Sequence, residues 1–160
     1  MLLLWVASAA GVHAQTAQES AAWLQARLRT YVIAPELAHA NVVDEVAITT
    51  CDDPDQLDNG RYRALTKTVM RFADLTEITS RFRAGRDVGD GERTLDLIIV
   101  TLTGPSTHYV LNDGTSEEHS ELKLWLLPDT PKDEIQRIIK AIKHLAILNG
   151  AKIPNDDLFK

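Results

Sequence analysis

The feature that most constrains the fold is an isoleucine stripe near the C-terminus. Ile135, Ile138, Ile139, Ile142, Leu145 and Ala146 recur at one-, three- and four-residue steps, the period that gathers side chains on one side of an α-helix. Thr130 is a suitable N-cap and Pro131 suits the first helical position. Asp133 and Glu134 complement the positive end of the helix dipole. Lys140, Lys143 and His144 gather towards the negative end, and Gly150 offers a left-handed cap. A helix of about eighteen residues spans roughly 27 Å. Its apolar stripe has to be buried, so the segment is expected to lie across a sheet made by the same chain.

That sheet is expected between residues 42 and 127, where the period changes to two. Val46, Ile48 and Thr50 alternate with Ala47, Thr49 and Cys51, the pattern of a half-buried strand. A polar stretch closing in Asn59-Gly60 follows, then a strand within 62–72. Residues 73–78 read equally as a helical turn or a bent strand. The clearest loop is 86–92. In 95–103 both parities are apolar, as expected of a central strand covered on both faces, and Gly104-Pro105 is expected to end it. Strands 108–111 and 121–127 flank the hairpin signal Asn112-Asp113-Gly114. In the second of these, Leu122, Leu124 and Leu126 share a face opposite Trp125.

Ahead of the sheet, Thr16-Ala17-Gln18-Glu19 has capping-box spacing, and Leu24, Leu28, Tyr31 and Val32 form one helical face. Gln25, Arg27 and Arg29 fall elsewhere and are expected in water. Pro35 ends the helix. A helix, a run of strands and a final helix make an α+β fold: a curved antiparallel sheet of about five to six strands with the C-terminal helix packed on it.

Residues 1–14 read as a signal peptide. An uncharged apolar run ends at Val12-His13-Ala14, the small-x-small form of a cleavage site. The run is too short to span a bilayer, although it lacks the usual preceding Lys or Arg. The expected organisation is residues 1–14 as signal peptide, 15–150 as one α+β domain and 151–160 as a loose tail. The expected location is periplasmic or secreted, with no integral membrane segment after cleavage.

Composition narrows the function classes. A net charge of −6 opposes binding to phosphate backbones or anionic lipid surfaces, so nucleic acid is not an expected partner. The one cysteine, Cys51, precludes an intrachain disulfide and a thiol-rich metal site.

Trp23-Leu24, Leu28 and Tyr31 ahead of a strand, residues 71–78 in mid-chain and the C-terminal helix 137–150 together resemble small exported bacterial proteins of unknown function. The order of a curved antiparallel sheet closed by one helix is similar to pleckstrin-homology-like (PH-like) domains. The resemblance implies binding of a ligand, lipid headgroup or peptide without a fixed chemistry. The basic loop cluster of phosphoinositide-binding members has no counterpart here, so no headgroup site is implied.

Catalytic signatures are sparse. No His pair has the spacing of three or four that sets two imidazoles on one helical face. His108, His119 and Glu117 flank the hairpin turn and are the candidate zinc ligands, with a solvated hairpin tip as the ordinary alternative. Asp53, Asp55 and Asp58 crowd one loop without the EF-hand register; they are candidate contact residues, as is Trp125. Cys51 sits beside Asp52 and Asp53, whose charge disfavours a thiolate nucleophile. Neither a Gly-x-Ser-x-Gly elbow nor a phosphate-binding glycine loop occurs. The expected function is a non-enzymatic binding module for a protein or small molecule, with no cofactor. The alternative is a small metal-dependent hydrolase using His108, His119 and Glu117.

Overall fold

The computed structural model describes residues 16–32, 40–52, 66–85, 87–89, 92–93, 96–110 and 114–153. It has the expected α+β architecture: an N-terminal helix, a curled antiparallel sheet and a C-terminal helix packed on it. In chain order the elements are α1 (Ala17–Tyr31), β1 (Ala40–Val43), β2 (Ala47–Asp52), β3 (Thr66–Arg71), a 3₁₀ turn (Phe72–Asp74), β4 (Glu77–Arg83), β5 (Asp87–Gly89), β6 (Glu92–Arg93), β7 (Leu97–Val110), β8 (Thr115–Leu126) and α2 (Lys132–Leu148). The main sheet runs β1-β2-β3-β7-β4, with β8 also paired to β7; β5 and β6 form a separate small hairpin.

The long strand β7 organises the sheet. On one side β4 pairs with residues 97–103 and β3 with 106–110, while β8 runs along the other side. The 3₁₀ turn between β3 and β4 therefore lies beside the middle of β7. There β7 bulges: Thr103 opposes Glu121 and Ser106 opposes His119, so β7 spends one more residue than β8. Gly104 makes this possible. Its φ is +154°, and a Cβ there would stand 2.4 Å from the Asp74 carbonyl oxygen, closer than any side chain tolerates. The expectation that Gly104-Pro105 ends the strand is thus corrected. The pair interrupts the ladder at a bulge, where proline's missing N–H is tolerated, and β7 continues to Val110.

The turn itself has an apolar cause. Phe72 and Leu75 are both buried, and a spacing of three sets them on one side of a 3₁₀ turn. Thr76 returns the chain to β7 by donating from both its backbone N–H (2.8 Å) and its hydroxyl (3.0 Å) to the Thr103 carbonyl.

Both helices cover one face of the sheet. Ala21, Leu24 and Leu28 of α1 and Ile135, Ile138, Ile142, Leu145 and Ala146 of α2 share a core with Ile48, Met70, Val100, Leu102, Leu122 and Leu124. The capping box at Thr16 and Glu19 forms with both its hydrogen bonds. Thr130 does not cap α2: its hydroxyl donates to the Leu127 carbonyl at 2.7 Å, and Pro131 occupies the N-cap. At the other end Gly150 has φ +88°, with Gly150 N–H bonded to Ile147 O and Ala151 N–H to Ala146 O. That is the Schellman pattern. Ile153 is buried in the core, so the tail begins packed.

Two polar side chains expected in water instead fasten the helices. The Gln25 amide donates to the Asn41 carbonyl (2.8 Å) and accepts from the Val43 N–H (2.7 Å), closing the outer edge of β1. Arg27 lies over the Trp23 ring at 5.4 Å, with Arg137 of α2 at 5.3 Å. Both arginines are ion-paired to Glu134. This cation–π and ion-pair cluster ties α1 to α2 where they meet.

Candidate functional site

The β7–β8 hairpin gathers the candidate side chains, and the bulge decides which ones meet. Before it, Leu102 opposes Leu122, even-numbered residue to even. After it, Ser106 opposes His119 and His108 opposes Glu117. Directly opposed residues share a face, so the one-residue slip brings odd-numbered residues of β8 alongside Ser106 and His108. The rings of His108 and His119 stack, with centroids 5.0 Å apart and planes 3° from parallel. Glu117 Oε2 is 3.8 Å from His119 Nε2. Thr68 on β3 shares a 2.9 Å hydrogen bond with His108 Nδ1, and Ser106 donates to the carbonyls of His119 and Glu121.

The three candidate ligands are therefore neighbours, but their present geometry does not converge. A ligating imidazole directs its lone pair within its own ring plane. Parallel stacked rings aim at separate points, so a shared ion requires one ring to turn. Among the described residues no group of three or more His, Cys, Asp or Glu side chains is arranged to hold a metal ion.

Trp125 opposes Ile99 on the face away from the helices. There it is half-buried in a second apolar cluster with Leu97, Ile99 and Leu127. The apolar character of both parities in 97–103 is explained by these two clusters, one on each face. Asp53, Asp55 and Asp58 lie outside the described residues.

Beside this hairpin lies a concavity that no local residue pattern announces. An open groove of about 780 Å³ crosses the bulge, walled by Arg71, Asp74 and Thr76 on one side and by Glu118, His119 and Ser120 on the other. Its floor includes Thr103, Thr107 and Tyr109. Arg71 Nε is held 2.7 Å from Asp74 Oδ2, and the Lys67 ammonium sits 5.0 Å from the Tyr109 ring centroid. The groove lies where the 3₁₀ turn, with Arg71 and Asp74, packs its backbone against the bulge of β7. Its charges are nearly balanced, and its hydroxyls and one aromatic ring present hydrogen bonds beside an apolar surface. Such a lining orients a ligand by a few polar contacts around an apolar platform.

Among the described residues no helix is long and apolar enough to cross a membrane. No family model, no curated protein and no solved structure matches this chain.

Proposed function

We propose that this chain is an exported binding module, acting in the periplasm or outside the cell, that holds a small polar ligand in the groove over the β7 bulge without turning it over. The observation that carries this reading is the groove's lining. Thr76, Thr103 and Thr107 supply hydroxyls, Tyr109 supplies a ring, Arg71 is paired with Asp74, and Glu118 adds a single carboxylate. A neutral or zwitterionic molecule fits that balance better than a strongly charged one. The chain's net charge of −6 likewise disfavours nucleic acid as the partner. The likeness to PH-like domains rests on a curled antiparallel sheet followed by a covering helix, and it belongs to this proposal. So does export, which rests on residues 1–14.

A thermal-shift screen of sugars, amino acids and other neutral polar molecules tests the binding reading. The expected result is a compound that raises the melting temperature of the protein and leaves Tyr109→Ala unmoved. A screen without hits, or a hit that shifts Tyr109→Ala equally, overturns it. Mass spectrometry of the exported protein tests the leader: a mature terminus at Gln15 is expected, and an intact Met1 on exported material contradicts it.

The proximity of His108, His119 and Glu117 favours one second reading, a metal-dependent hydrolase. Elemental analysis after zinc addition separates the two. One zinc per chain, lost in His119→Ala, supports the hydrolase; no bound zinc removes it.

A further inference from the structure

The edges of the main sheet are treated differently, and the difference points to self-association. The outer edge of β1 is closed by the Gln25 side chain. The C-terminal end of β8 is covered by Val32, which bridges Leu126, and by the Leu127 N–H, which donates to Tyr31 O at 2.8 Å. Strand β4 has no such cover among the described residues. It pairs with β7 alone, six of its seven residues are exposed, and Phe82 is 61% exposed. An exposed strand edge presents a row of backbone donors and acceptors to another strand.

We propose that β4 pairs antiparallel with β4 of a second copy of this chain, extending the sheet across a two-fold axis at Ser80. The sequence Glu77-Ile78-Thr79-Ser80-Arg81-Phe82-Arg83 is self-complementary about its centre. Full overlap sets Glu77 opposite Arg83 of the other copy, Ile78 opposite Phe82, Thr79 opposite Arg81, and Ser80 opposite itself. Each match also falls on the correct face. Ile78 and Phe82 oppose Leu102 and Ile98, on the helix-covered side, whereas Glu77 and Arg83 oppose Thr103 and Leu97, on the other. The exposed phenyl ring is thereby covered by the half-buried Ile78 of the second copy, and each carboxylate meets a guanidinium across the strands.

A slip of one residue in either copy reverses a face. The slip that pairs Arg81 with itself sets like charges in contact. The exposed part of β8, from Thr115 to Glu121, has no comparable match. Self-pairing about Glu118 sets two carboxylates together in a strand that also carries Glu117 and Glu121. The symmetry is isologous, the commonest arrangement in homodimers. A seven-residue strand is only about 23 Å long, so the interface is small and the dimer depends on concentration.

Sedimentation velocity over a concentration series, with charge-swap variants, tests this. The expected result is a monomer–dimer equilibrium. Glu77→Arg and Arg83→Glu each weaken it about tenfold by setting like charges opposite, and the double variant restores it. A Cys51→Ser/Ser80→Cys chain should oxidise to a disulfide-linked dimer, and Cys51→Ser/Glu77→Cys should not. A monomer at every concentration overturns the proposal and leaves Arg81 and Arg83 as charges that keep the edge unpaired. A dimer indifferent to both single charge reversals overturns it too, because the contact then lies elsewhere.

Discussion

Before the bulge, β7 sets Ile98, Val100 and Leu102 under the helices and Leu97 and Ile99 into the Trp125 cluster on the opposite face. After it, the same strand presents Ser106 and His108 on one side and Thr107 and Tyr109 on the other. The partners change with it. Residues 121–126 of β8 alternate leucines under the core with Glu121, Lys123 and Trp125, whereas 115–120 are exposed throughout. One hairpin therefore has a half that builds the core and a half that carries polar chemistry, separated at Gly104. A bulge lets a strand serve both purposes because it resets pairing without ending the ladder.

The sharpest way to break this division is at the bulge itself. Gly104→Ala forces a methyl group against the Asp74 carbonyl, at a backbone angle that side chains rarely adopt. Urea denaturation should show a loss of about 3 kcal/mol or more. Next in size is a cavity in the core half. Leu124→Ala, at a fully buried position, should cost about 2–5 kcal/mol in the same measurement.

Substitutions beyond the bulge should be milder. Thr68→Val removes the hydroxyl partner of His108 and should cost about 1 kcal/mol. His119→Ala, in an exposed segment, should stay within about 0.5 kcal/mol. A cost at His119 comparable to that at Leu124 would erase the contrast between the halves.

What could be read from the residues follows the range of the forces involved. The α2 stripe and the two-sided apolar run of β7 are periodic, and periodicity reports burial directly. The approach of His108 to Glu117 and His119 also followed from their places around a hairpin turn. The bulge did not, because Gly-Pro in sequence signals a stop with equal force whether the chain turns away or merely kinks. The contact that demands glycine there comes from thirty residues earlier in the chain, the Asp74 carbonyl. Gln25 likewise reads as a solvated helix residue; nothing local shows that the β1 edge comes to rest against it. The Trp23–Arg27–Arg137–Glu134 cluster joins two helices more than a hundred residues apart, and pairings at that separation leave no local pattern. The groove inherits both limits, since its walls come from the 3₁₀ turn and from the slipped part of β8.

Amide hydrogen exchange, resolved by fragment or by residue, tests the two-part strand most directly. Amides of 98–102, and those of 122–126 that bond to β7, are expected to exchange only through global unfolding, while those of 115–120 exchange much faster through local opening. Equal protection on both sides of Gly104 would contradict this division, because the sheet would then be one cooperative unit from the core to the hairpin tip.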